Sequence, residues 1–329
     1  MKSQHHSYFN CLVNMSQFNH IAILFFVFCF SFFTQMIFDN PTFSQQSVLL
    51  PSESHVETDS LYREMLSSVE AAVSISARIR QQTTLFGQEF IASGAYNELK
   101  TQELRGRKDA TRFRLELQIQ SPAGASNTDS PNSLTISRDS TYQYIYRYTS
   151  IEGIKRLERI DIKRLMEAIE KQGGYTGPIE VASMFGLGGL AGMLRSIRNQ
   201  YDFSYAPVMT QINEKNGSIA VWKIRGRLKP AAIAALTVDA NGNSQAIPKH
   251  TPTAIDIYIG VDDRFPFRFD YFWTADGSDN GGENFGYLMF YDRVLHDDRN
   301  IPETIFDYQP SENILPDDVT NSVIQRMLR

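Results

Sequence analysis

Only two cysteines occur in the 329 residues, Cys11 and Cys29, and both lie in the N-terminal segment. From residue 45 onward there is none, which excludes disulfide scaffolding, thiolate zinc sites and cysteine nucleophiles from that part. Histidine is nearly as scarce: beyond the N-terminal segment only His55, His250 and His296 remain, far apart, with no His-x-x-x-His spacing. A metal or acid–base centre needs such groups clustered. A basic run is also missing. With 32 Lys and Arg against 37 Asp and Glu the formal net charge is −5. Nucleic-acid recognition needs a concentrated basic surface. No catalytic residue, metal, cofactor or nucleic-acid partner is therefore expected, and no internal repeat is present.

The one long apolar run is Ile21–Phe33, IAILFFVFCFSFF. It falls short of the roughly 20 residues that span a bilayer and has the length of a secretory h-region. Thr42-Phe43-Ser44 offers small residues for cleavage, so residues 1–44 are expected to be a signal peptide. Residues 45–58 then form a polar leader. Two readings compete. Met36-Ile37-Phe38 extends the run toward an uncleaved anchor, and a buried apolar helix is the third possibility. Lys2 is the only firm positive charge ahead of the run, and a start at Met15 leaves none. Cys29 follows Phe26, Val27 and Phe28 rather than small residues, against lipidation. A periplasmic or secreted protein is expected.

Residues 59–329 read as one β-rich domain. Asp59 or Ser60 can cap a helix in which Leu61, Met65, Val69 and Val73 share a face. Hairpin-linked strands follow from Ser76, and Arg112–Gln120 alternates cleanly, with Phe113, Leu115, Leu117 and Ile119 on one side. Tyr142, Tyr144, Tyr146 and Tyr148 alternate in the same way. Two helices come next, one marked by Ile162, Leu165, Met166 and Ile169, the other by Leu187, Leu190, Leu194 and Ile197. Strands resume at Asp202–Gln211 and Ser218–Arg227, then Ala254–Val261, Phe265–Trp273 and Phe285–Asp292, with a closing helix near Asp317. About ten sequential strands make an antiparallel sheet that curls or closes, and helices set between strand groups can cover one mouth.

The chemistry in this pattern is thin. Gly186-Leu187-Gly188-Gly189-Leu190-Ala191 fits the dinucleotide fingerprint in letters, but no βαβ unit surrounds it. Flexible entry to a lid helix is the better use of those glycines. Asp276–Glu283 resembles a calcium loop in composition alone, and His296-Asp297-Asp298 reads as a solvated turn. Asp256, Asp262, Asp263 and Asp270 fall at strand ends or on outward faces and are expected to be solvated. Aromatic alternation is the strongest remaining signal. It puts Phe113, Leu115, Leu117, Tyr144, Tyr146, Phe267, Phe269, Tyr271 and Trp273 inward, as an ordinary core or as the lining of an apolar cavity. Leu187, Leu190, Leu194 and Ile197 would form the lid.

Taken together these pieces resemble the LolA-like superfamily, the bacterial outer-membrane lipoprotein carriers and their relatives. The resemblance runs from about Leu61 to Arg329 and is weakest between 229 and 253. It is carried by LYREMLSSVEAAVSISARI, FGQEFIASGAYNEL, TRFRLELQI, the tyrosine-rich strand, IDIKRLMEAIEK and the GLGGLAGMLRSI segment. It implies an α+β fold, a half-open, incurved antiparallel β-barrel with helices covering the mouth of an apolar cavity. It also implies a non-enzymatic carrier or chaperone for a hydrophobic ligand such as a lipid or lipoprotein acyl chain. The alternative is a periplasmic sensor or scaffold that binds an envelope membrane protein. No functional residue carries over from the family.

Overall fold

The computed structural model describes residues 57–85, 88–100, 111–120, 132–138, 143–151, 153–171, 181–214, 217–237, 252–273, 283–296, 301–307 and 314–327. Helix α1 spans Thr58–Ala71. Its Leu61, Tyr62, Met65 and Val69 are buried, the stripe that the four-residue spacing predicts. Asp59 and Ser60 lie inside the first turn rather than capping it, and Glu57 stands at the cap without a side-chain bond. The strands that follow are β1 (Ser74–Leu85), β2 (Gln88–Lys100), β3 (Thr111–Gln120), β4 (Asn132–Arg138), β5 (Tyr144–Ile151) and β6 (Ile154–Asp161). Then come α2 (Ile162–Lys171), α3 (Val181–Gln200), β7 (Tyr201–Asp202), β8 (Val208–Glu214), β9 (Gly217–Leu228) and α4 (Pro230–Thr237). The chain closes with β10 (Ala254–Gly260), β11 (Pro266–Trp273), β12 (Glu283–His296), a 3-10 turn (Glu303–Phe306), β13 (Asp317–Asp318) and α5 (Thr320–Met327).

These strands form one 13-stranded sheet in the order β13-β6-β5-β4-β3-β2-β1-β12-β11-β10-β9-β7, with β8 also on β9. Every pairing is antiparallel except β13 with β6. The order explains the helices. The first strand group runs outward from β1 to β6, and the second returns from β9 to β12 beside β1. The connection from β6 to β7 must therefore cross from one edge of the sheet to the other. Helices α2 and α3 lie on that crossing. The sheet is incurved and unclosed, and one buried cluster joins α1, α3, α5 and the inner faces of both strand groups.

Registry fixes which side chains share the inner face. Phe113, Leu115 and Leu117 pair with Glu98, Tyr96 and Gly94 on one side, and Leu115 and Leu117 with Ile136 and Leu134 on the other. Across the sheet Ile257 pairs with Phe269 and Phe269 with Leu288. Gly94 permits the close approach of β3: a Cβ there would stand 1.7 Å from the Glu116 carbonyl oxygen.

Two expectations need correction. Tyr144 and Tyr146 do not share the inner face. Ile136 pairs with Arg147 and Arg138 with Ile145, so Ile145 and Arg147 point inward and the tyrosines outward. Both tyrosines are half-buried, and Arg159 stacks 4.9 Å over the Tyr144 ring. The period was right and the phase was wrong: an amphipathic tyrosine is content on a half-wet outer face, whereas Ile145 belongs to the core. Ile145→Ala should therefore cost about 2–4 kcal/mol and Tyr146→Ser about 1 kcal/mol, a contrast that urea denaturation of the two variants reads directly. The second correction concerns Asp256 and Asp270. They are on the outer face as expected, yet only 2% and 4% exposed.

Candidate functional site

The concave face is apolar over β1–β3 and β9–β12. Phe113, Leu115, Leu117, Phe267, Phe269 and Tyr271 are all buried there, while Trp273 is partly buried against the same core. Edge-to-face contacts tie the aromatic rings together: Phe290 lies 6.0 Å from Phe265, 6.3 Å from Phe269 and 5.8 Å from Tyr96. The sheet thus brings together the expected residues of β3 and β11, and excludes the two tyrosines of β5.

Helix α3 covers this face in two parts. The helical path breaks at Gly188 and Gly189, where Gly189 has φ 63° and ψ −153°, a conformation open essentially to glycine alone. After the break Leu190, Met193, Leu194 and Ile197 are sealed into the core. Leu187 precedes the break, and its side chain lies outside the described residues. The sealed part is fixed by polar contacts as well. The Tyr62 hydroxyl donates to the Leu194 carbonyl at 2.6 Å. Arg195 donates to Glu70 at 2.6 and 3.0 Å, and Arg198 to Asp59 at 2.5 Å. Lys229 donates to the Arg198 carbonyl at 2.9 Å.

Sequence reasoning missed Glu98, the most consequential polar group on this face. It is fully buried. Its Oε2 accepts the Tyr96 hydroxyl at 2.5 Å and the Leu190 N–H at 2.8 Å, so it caps the segment that starts after Gly189. Its Oε1 accepts no hydrogen bond among the described residues, with Lys100 Nζ 3.9 Å away. Lys100 donates in turn to the Val69 carbonyl at the end of α1. Burial pushes the Glu98 carboxyl above the usual carboxylate range, against the opposing pull of Lys100, Tyr96 and the Leu190 N–H. The same burial lowers Lys100, opposed mainly by Glu98. The only signal in the sequence was period two: Tyr96, Glu98 and Lys100 alternate in phase with Ala92.

Gly189 is pressed against this carboxylate. A Cβ on it would stand 2.5 Å from Glu98 Oε2 and 3.0 Å from Thr111 Cγ2. Gly189→Ala should therefore destabilise by about 2–3 kcal/mol, combining backbone strain with the clash. Gly188→Ala, with nothing within 4 Å and an extended φ, should cost far less. Thermal melts of the two variants check the difference.

Among the described residues no group of three His, Cys, Asp or Glu is placed to hold a metal ion. No described helix is long and apolar enough to cross a membrane. The run Ile21–Phe33, His55, His250 and residues 274–282 of the calcium-like loop lie outside the described residues, as do Asp297 and Asp298.

No protein-family model matches the chain, and no curated protein matches it in sequence. Solved structures do. A DUF1329 family protein from Desulfovibrio piger is 10% identical, with 76% of this chain and 97% of that one covered at a TM-score of 0.33. A putative outer membrane lipoprotein-sorting protein domain from Vibrio parahaemolyticus is 9% identical, with 75% and 95% covered at 0.31. A LolA superfamily protein from Nitrosomonas europaea is 10% identical, with 77% and 98% covered at 0.27. The architecture of the chain itself is α+β, a half-open, incurved antiparallel barrel with helices packed on its concave face.

Proposed function

We propose that this protein is an exported carrier or chaperone that holds an acyl- or lipid-like hydrophobic ligand against the concave face, beneath α3. The observation that carries this reading is the combination of an unclosed sheet, an inner face that is largely apolar over β1–β3 and β9–β12, and a covering helix interrupted at Gly188-Gly189. A closed barrel fixes its interior volume, whereas an open edge and a broken helix allow the cover to shift. An acyl chain would displace Leu190, Leu194 and Ile197 from the aromatic wall and replace their contacts with its own, at about 0.8 kcal/mol per buried methylene. The buried carboxylates favour binding over catalysis, because Glu98, Asp256 and Asp270 each hold structural partners. The h-region Ile21–Phe33 supports export, and residues 59–329 act in this reading as one unit.

A second reading draws on the completeness of the cover. Leu190, Met193 and Leu194 are fully buried, as in a protein whose interior is core and whose surface does the binding. That protein would be a sensor or scaffold for an envelope membrane protein. Titration with a fluorescent fatty acid separates the two. The carrier reading expects saturable uptake by the wild type, and a loss of about tenfold or more in a folded Leu194→Glu variant, since a charge on that face opposes both closure and ligand. A folded wild type that takes up no acyl probe supports the scaffold.

A further inference from the structure

The chain is acidic overall, yet the pairing registry gathers cations from distant strands on one face, outermost over buried carboxylates. On the outer side of β9–β12 and β1, Lys223 pairs with Tyr258, Tyr258 with Arg268, Arg268 with Met289 and Met289 with Arg80. This single row across five strands alternates three cations with a tyrosine and a methionine. The next row runs Arg225, Asp256, Asp270, Tyr287, Gln82. Arg227 on β9, opposite Asp202 of β7, and Arg78 on β1, ion-paired with Asp292 at 3.5 Å, extend the same side.

The vertical order of charge matters as much as the count. Asp256 and Asp270 lie at the bottom, nearly without solvent contact, while Lys223, Arg225 and Arg268 keep 27–33% of their side chains exposed above them. Arg225 stacks 4.7 Å over Phe272, Arg268 4.5 Å over Tyr287, and Arg227 5.3 Å over Tyr205. The guanidinium layer is therefore outermost, and half-buried Tyr287, Met289 and Tyr291 supply apolar and amphipathic surface between the charges. Cations interleaved with tyrosine suit the headgroup boundary of a bilayer, where phosphates meet the first methylenes.

We propose that this convex face docks the protein on an anionic phospholipid surface. The proposal does not depend on the ligand reading, because the face lies on the opposite side of the sheet from the proposed site. Binding should follow surface charge and be screened by salt.

The test is co-sedimentation of the full chain with vesicles of phosphatidylcholine and phosphatidylglycerol in equal parts, against phosphatidylcholine alone. Wild type should partition to the anionic vesicles at low ionic strength and be released at about 0.5 M salt. The double variant Arg80→Glu, Arg227→Glu spares the arginines that neutralise Asp256 and Asp270, and should bind on the order of tenfold more weakly at an unchanged melting temperature. The variant Lys163→Glu, Lys171→Glu on α2 changes the net charge equally away from the face and should bind as wild type. The proposal fails if wild type ignores anionic vesicles, or if the α2 variant loses as much binding as the face variant. Retention on polyglutamate without vesicle binding would overturn it in favour of an acidic protein partner. Acyl-probe uptake, measured separately, is expected to be the same in all three.

Discussion

Replacing Glu98 with alanine is expected to lower the unfolding free energy by about 3–5 kcal/mol, the range for removing one member of a buried ionic network. Three groups lose this carboxylate at once: the Tyr96 hydroxyl, the Leu190 N–H and the Lys100 ammonium, of which Lys100 keeps the Val69 carbonyl. None of the first two can reach water without displacing core, since Tyr96 and Leu190 are fully buried. Glu98→Gln separates the contributions. Its amide oxygen can accept both hydrogen bonds at the Oε2 position, while the attraction to Lys100 is lost, so its cost should be well under half that of alanine. Urea denaturation gives the magnitudes. Hydrogen exchange gives the location: protection should fall first at Leu190 and the turn after it, before the β2–β3 ladder is affected. Uniform loss across the sheet would show that Glu98 supports the core generally rather than holding α3.

Arg225→Met is the second large effect, at about 3 kcal/mol. Arg225 grips Asp256 with two hydrogen bonds, 2.6 and 2.8 Å, and Asp256 sits directly across from Asp270 in the sheet. Without the guanidinium a buried carboxylate faces another, with Lys223 at 3.9 Å as its nearest remaining cation. Changing both partners, Arg225→Met with Asp256→Leu, should restore most of the loss, because an apolar pair of similar volume leaves nothing unpaired. Thermal and urea unfolding of the two singles and the double close the cycle.

The fold was legible wherever one face of an element is wet. The clean alternation of Arg112–Gln120 located β3 and oriented Phe113, Leu115 and Leu117 correctly. The stripe Leu61, Met65, Val69 did the same for α1. Orientation failed where both faces are partly covered. In β5 the tyrosines outweigh Ile145 in hydrophobic bulk, yet the long-range pairing with β4 and β6 decides the phase. Strand β10 is buried along its whole length, so Asp256 could not be recognised as a paired ion from its neighbours in sequence. Its partner Arg225 comes from β9. The 3-10 turn Glu303–Phe306 was not foreseen either. It packs on the outer face through Arg112 with Glu303, Arg114 with the Ile305 carbonyl, and Ser137 with the Phe306 carbonyl. The helix containing Leu190, Leu194 and Ile197 was visible from its apolar spacing, but its break was not, because a helix with scattered glycines reads the same whether it bends or not. Glu98 was hidden for a related reason: besides its neighbours Tyr96 and Lys100 it receives the Leu190 N–H from 92 residues away in the chain, a partner that local sequence does not reveal.

The central claim is that the concave face holds an acyl-like ligand, and lipid extraction tests it most directly. The protein is purified without detergent from the producing cells, and the organic extract is analysed by mass spectrometry beside an extract of the Leu194→Glu variant. A lipid or acyl species should be enriched in the wild type at a substantial fraction of one per chain, and depleted in the variant. A wild type that yields no lipid, and that also leaves a fluorescent fatty acid unbound while folded, would contradict it.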